Sequence, residues 1–238
     1  MRTSKFIFAF VVFAIVSVNC FAQVFARVDM FSYGPNIGKI TQNSIEFFEY
    51  SSGIAGNSWR NIPQADMVKP ANCRGAFSYG QYLCLIVGNR IQFYEYLNTT
   101  WGRFAEADMN LPANFRDVFV VGNYICVDIG GRVQFYEYDG SAWKIVPNTD
   151  WNLPANYKSV FGYMEEIGVI VDNKITFYQY YNNAWTHIPM ADLTVPNNCT
   201  AAIGYSDNIG VIIDGNLIRF YGNLGNAWAL FQDAQFRR

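Results

Sequence analysis

The sequence holds one histidine, five cysteines and few charges, and each scarcity removes a class of chemistry. With His187 alone, any Ser/His/Asp or Cys/His catalytic group must run through one residue. No cysteines are spaced C-x-x-C and no Cys/His set has zinc-ligand spacing, so neither a metal site nor a cofactor is expected. Lys and Arg number 17 against 19 Asp and Glu, and no basic run exists, which argues against nucleic acid as a partner. Beyond position 22 no apolar stretch is long enough for a membrane-spanning helix. Helical periodicity is missing throughout.

What is abundant is apolar and aromatic. Hydrophobic residues make up 51% and Phe, Tyr and Trp 18%, enough for a sizeable core built from strands. Arg2 and Lys5 precede the apolar run Phe6 to Val18, and Cys20-Phe21-Ala22 sets small residues at the −3 and −1 positions. Residues 1–22 therefore read as a signal peptide cleaved after Ala22, and the protein as exported: secreted, periplasmic or on the cell surface. Lipidation would fall on Cys20, but Asn19 fits the preceding position poorly. Losing Arg2 and Lys5 takes the formal charge from −2 to −4.

Residues 23–238 are dominated by a repeat of 42. Trp59, Trp101, Trp143 and Trp185 keep that step, and Trp228 follows after 43. Asp66, Asp108, Asp150 and Asp192 keep it too, as do Pro70, Pro112, Pro154 and Pro196, and Asn72, Asn114, Asn156 and Asn198. An aromatic strand precedes each Trp, as in Ile91-Gln92-Phe93-Tyr94-Glu95-Tyr96. Phe31, Phe77, Phe119, Phe161 and Ile203 open the units, with Tyr33, Tyr79, Tyr163 and Tyr205 two positions on. Five copies, at about 28–66, 75–108, 117–150, 159–192 and 201–235, fill the segment and leave no second domain.

Each copy reads as four short strands, in the fourth copy Ser159–Tyr163, Ile167–Val171, Ile175–Tyr180 and Ala184–Ile188. Gly88-Asn89, Gly130-Gly131, Asp172-Asn173 and Asp214-Gly215 suit two-residue hairpins, which need positive φ at both positions. The segment Asp-x-x-x-Pro-x-Asn reads as the loop between copies, with Pro blocking ladder pairing and Asn tolerating a left-handed turn. Four antiparallel strands every 42 residues predict an all-β, five-bladed β-propeller. The strands are too short for a membrane barrel. A monomer or weak oligomer is expected.

The remaining residues offer candidate sites. His187 lies just after a repeated Trp, where the other copies carry Arg60, Arg103, Lys144 and Ala229, so it reads as a solvent-facing strand residue. Cys84 and Cys126 are one period apart, and Cys73 and Cys199 three. Equivalent positions in a ring lie too far apart for the ~7 Å a disulfide needs between Cα atoms, so buried thiols are expected. Asp128 interrupts an apolar strand where sister copies carry Ile86, Ile170 and Ile212, and Asp117, Glu165 and Glu166 also break the repeat. A hydrolase would need two such carboxyls about 5–10 Å apart. The repeated residues support another logic. Trp59, Trp101, Trp143, Trp185 and Trp228 could stack on sugar rings, with Asp66, Asp108, Asp150 and Asp192 accepting from hydroxyls. Alternatively, each Trp fills the gap between blades and each Asp ties down a loop.

A Phe/Tyr-rich strand, a hairpin turn and a Trp-bearing strand, five times over, resemble the tachylectin-like and tectonin-like propeller lectins in architecture and spacing. The Gly-Gly-Trp signature of tachylectin is missing. The resemblance implies shallow sugar sites, one per blade, and no catalysis. The expected function is thus a non-catalytic, lectin-like binding module, with glycans or envelope and surface proteins as partners. A structural scaffold of the envelope or surface is the alternative, and a propeller glycosidase a distant third. Asn98-Thr99-Thr100 and Asn198-Cys199-Thr200 are glycosylation sequons in a eukaryotic setting.

Overall fold

Alternation along the third strand of each repeat sets the architecture. In Arg90–Leu97, Ile91 and Phe93 point to one side and are buried, and Gln92 to the other. Phe47, Phe93, Phe135, Phe177 and Phe220 are the largest fully buried side chains, one for each repeat. A computed structural model describes residues 29–53, 56–215, 217–225 and 227–235. The expected signal peptide and Cys20 lie outside them.

The described residues form five antiparallel sheets arranged as the blades of a propeller. Blade 1 comprises Met30–Tyr33, Asn36–Ile40, Ser44–Gly53 and Gly56–Asn61, paired in that order. Blade 2 comprises Cys73–Tyr79, Tyr82–Val87, Arg90–Leu97 and Thr100–Arg103. Blade 3 has Asp117–Val121, Tyr124–Ile129, Arg132–Tyr138 and Trp143–Ile145, and blade 4 Tyr157–Tyr163, Glu166–Val171, Lys174–Tyr181 and Ala184–His187. Blade 5 has Cys199–Tyr205, Asn208–Ile213, Leu217–Asn223 and Trp228–Gln235.

The connecting segment is more than a loop. After a 3-10 turn such as Pro63–Ala65, the two residues following the repeated Asp form a short fifth strand. Met67–Val68, Met109–Asn110, Trp151–Asn152 and Leu193–Thr194 each pair with the first half of their blade's third strand. Pro then ends the pairing, and the N–H of Cys73, Phe115 and Cys199 closes a turn on the carbonyl of Pro70, Pro112 and Pro196. Asn72 and Asn156 take the left-handed conformation, at φ 61° and 63°. Blade 5 has no such interruption, and its eight-residue outer strand spans the whole third strand with one bulge.

Among the described residues no blade borrows a strand from the other end of the chain, and side chains join one blade to the next around the ring. Tyr33, Tyr79, Tyr163 and Tyr205 donate their hydroxyls to the carbonyls of Gln81, Asn123, Asp207 and Pro35, each in the first hairpin turn of the next blade. The last of these joins blade 5 to blade 1 at 2.6 Å. Blade 3 carries Val121 at this position, and there a backbone bond from Gly122 N–H to the Met164 carbonyl does the same work.

The four described cysteines are buried thiols. Cys84 and Cys126 stand opposite Phe77 and Phe119 in the ladder, where blades 1 and 4 place Gly38 and Gly168 beneath Phe31 and Phe161. The position takes only a small residue because an aromatic ring covers it, so sulfur serves here as a compact apolar atom.

Candidate functional site

The repeated tryptophans lie between blades. Trp101 stacks on Phe47 at 5.2 Å, Trp143 on Phe93 at 5.6 Å, Trp185 on Phe135 at 5.1 Å and Trp228 on Phe177 at 5.7 Å. Trp59 of blade 1 stacks on Phe220 of blade 5 at 5.6 Å, completing the circle. The indole N–H groups of Trp101, Trp143, Trp185 and Trp228 donate to Ala65, Ala107, Thr149 and Ala191 at 2.6–2.9 Å. Each acceptor is in the turn just before the repeated Asp of the preceding blade. Packing two blades together thus uses both the face and the polar edge of the ring.

The repeated aspartates sit at the outer edge and are engaged within the protein. Asp66 accepts from the Phe47 backbone N–H at 3.1 Å and from Asn61. Asp108 is paired with Arg90 and Arg103, and Asp150 with Arg132. Asp192 meets Lys174 at 2.5 Å and His187 at 2.8 Å. Burial opposes ionisation of Asp192, but Lys174 and His187 outweigh it and hold its carboxyl below the usual range. Two periods before His187, Arg103 pairs with Asp108, whereas Lys144 of the intervening blade reaches Asp139 in the preceding hairpin turn.

Two of the four acids that break the repeat converge instead. Asp117 and Asp128 are directly opposed across the first two strands of blade 3. Asp128 is 1% exposed, accepts from the Gly131 N–H at 2.7 Å, and takes the hydroxyl proton bond of Tyr157 in blade 4. Burial, then that bond, push the Tyr157 hydroxyl up from its ordinary value. Burial pushes the Asp117 carboxyl up to about 7, against the Val118 N–H and with the help of neighbouring Asp128. Glu165 and Glu166 belong to the opposite end of the ring, in and after the first hairpin turn of blade 4.

A raised carboxyl makes stability depend on pH. An unfolded Asp titrates near 3.9, so the folded chain holds the extra proton between about pH 4 and 7. Its contribution is complete below pH 4 and lost as pH rises through 7, at most about 4 kcal/mol and less for the residual solvent contact of this half-buried side chain. Asp117→Asn is expected to be more stable than wild type at pH 8 and nearly equal to it at pH 4, by urea denaturation at both. An unchanged difference between the two pH values would contradict this placement.

Asp117 also lines a central cavity of about 520 Å³, walled by inner strands of all five blades. Most of the side chains along it are apolar, among them Met30, Phe77, Val118, Val160 and Ala202, though polar atoms make up about as much of its surface as apolar ones. Charge is confined to one mouth, where the inner strands begin, and comes from Arg74, Arg116 and Asp117. In blades 2, 4 and 5 the ladder skips a residue there: Arg74, Lys158 and Thr200 are bulge residues. Arg116 is their counterpart in blade 3, all four one period apart. A bulge re-aims its side chain and often stands beside a site. Arg74 lies over the Phe115 ring at 4.5 Å and reaches the Gly88 carbonyl at 3.4 Å, while the Lys158 ammonium donates to the Asp172 carbonyl at 2.5 Å. The same 42-residue step that reveals the tryptophans reveals this row.

The site thus defines a class of protein by geometry: a propeller with repeated packing and one unrepeated, charged mouth. No family model matches the sequence, and no curated protein does. Among solved structures the chain is similar to Hsv2 of Kluyveromyces lactis, at 12% identity over 87% of this chain and 62% of that one, with a TM-score of 0.48. A functionally unknown protein from Desulfotomaculum acetoxidans DSM 771 is 10% identical over 87% and 69%, with a TM-score of 0.47. PorZ, an essential bacterial surface component of the type-IX secretion system of Porphyromonas gingivalis, is 11% identical over 83% and 31%, with a TM-score of 0.40. The chain spans less than two thirds of the first of these, and the fold assignment rests on the strand registers above.

Proposed function

We propose that the protein is an exported, non-catalytic binding module that takes a carbohydrate at the charged mouth of its central cavity. The observation that carries this reading is the one-sided charge: the charged side chains of the lining, Arg74, Arg116 and Asp117, all converge at a single entrance. Small-ligand sites are concave, carry a few convergent polar groups and run to roughly 300–1,000 Å³, and the cavity holds about 520 Å³. The repeated Trp and Asp, engaged between and within blades, favour one central site over five peripheral ones. The non-catalytic reading is supported by Asp128, whose two oxygens are both bonded inside the protein. A working glycosidase needs a second carboxylate open to substrate.

A glycan array probed with residues 23–238 tests the reading, beside a pull-down from the source's own envelope fraction. Binding of a defined glycan class is the expected result. A silent array with one stoichiometric protein partner would instead establish the scaffold reading. That second reading is favoured by Leu230 and Phe231, 51% and 54% exposed on the outer strand of blade 5.

A further inference from the structure

The mouth is not symmetric, and the asymmetry lies in one missing side chain. After Arg74, Arg116, Lys158 and Thr200 come Gly75 in blade 2, Asp117 in blade 3, Ser159 in blade 4 and Ala201 in blade 5. Each is paired in the ladder with a residue of the second strand: Ile86, Asp128, Ile170 and Ile212 respectively. Of these four partners only Ile86 lines the cavity, because Gly75 has nothing to cover it. Phe115, which opens the neighbouring blade 3, lines it as well, while its counterparts Cys73, Tyr157 and Cys199 do not. The cavity therefore extends sideways into a notch between blades 2 and 3. Ile86 and Phe115 wall that notch and Arg74 lies over Phe115, while Arg116, one period on, lines the same mouth with its guanidinium bonded to the Tyr157 hydroxyl of blade 4.

A guanidinium above an apolar recess, with a second along the same mouth, forms a site for a planar anion carried on a small, partly apolar body. Arg presents paired N–H donors that match a carboxylate in two bonds, and Arg74 already lies over the Phe115 ring. Resting on the proposed function, we infer that the ligand is an acidic sugar residue, its carboxylate bound by Arg74, with Arg116 adding positive charge to the same mouth, and its ring seated in the Gly75 notch. Asp117 does not cancel the two cations, since its carboxyl titrates at about 7 and is in part protonated at neutral pH. Lys158 is not part of the lining, so it lies outside the site.

The test uses residues 23–238 and immobilised glycans ending in glucuronate, galacturonate, the matched neutral glucose and galactose, and their sulfated forms. Wild type is expected to hold the uronates at least tenfold more tightly than the neutral and sulfated sugars. Gly75→Val fills the notch. A Cβ there meets nothing nearer than the tip of the Ile86 side chain at 3.4 Å, so the variant is expected to fold. It should lose at least tenfold in uronate affinity while its Tm changes by only a few degrees. Arg74→Gln should lose a similar factor, and Lys158→Gln should stay within twofold of wild type. Equal retention of neutral sugars, or a preference for sulfate, would overturn the acidic-sugar inference and leave the lectin reading standing. Unchanged binding by a folded Gly75→Val would overturn the notch. Silence towards every glycan would overturn both this inference and the function it rests on.

Discussion

Gly162→Ala is expected to cost more than about 4 kcal/mol and to leave little folded protein at 37 °C, an exceptional loss for one methyl group. A Cβ at Gly162 would lie 1.6 Å from the carbonyl oxygen of Val120 and 2.6 Å from its carbonyl carbon. Both atoms are backbone of the inner strand of blade 3, so no rotamer change relieves the overlap. Gly204 of blade 5 stands in the same relation to Gly162, with its Cβ 2.5 Å from the Gly162 carbonyl oxygen. The inner strands of blades 3, 4 and 5 approach this closely only because two of them have no side chain at the crossing. Urea denaturation measures the loss. A cost below about 1 kcal/mol, the ordinary surface or propensity range, would mean that these inner strands lie further apart.

The second large effect is expected at the interblade stack. Trp143→Ala should destabilise the ring by about 3–5 kcal/mol, the usual cost of removing a packed aromatic. The indole leaves behind the Phe93 face, Tyr79 at 5.5 Å and Tyr138 at 5.2 Å, and it frees the Ala107 carbonyl that accepts its N–H at 2.6 Å. Trp143→Phe keeps a stacked ring and removes the hydrogen bond, and should cost about 1–2 kcal/mol. Chemical denaturation of the pair separates the two contributions. A Trp143→Ala protein that melts like wild type while losing sugar binding would place this indole in a ligand site.

These two predictions differ in how far the sequence reveals their cause. The 42-residue step is plain because each blade repeats the same packing task, so Trp143 recurs as a residue. Its partner does not follow from the period. Phe93 and Phe135 occupy equivalent positions, and only the ring order decides that Trp143 packs on the former, in the preceding blade. Likewise Asp108 and Asp192 are visible as a series, while the basic groups that hold them, Arg90 and Lys174, stand at the start of another strand and change identity between blades. The two-residue strand Met109–Asn110 is hidden for another reason: it sits in a Pro- and Asn-rich segment whose composition signals a loop. Gly75 is the subtlest case. As one residue it reads as a strand weakness, and it becomes informative only beside Asp117, Ser159 and Ala201 at the same step.

Stoichiometry tests the central claim most directly, since packing that consumes the repeated aromatics leaves one site in the whole ring. Isothermal titration of residues 23–238 with a glucuronate-terminated oligosaccharide should give one ligand bound per chain, abolished in the folded Gly75→Val variant. Four or five ligands per chain, unaffected by Gly75→Val, would contradict it and return binding to the repeated blades.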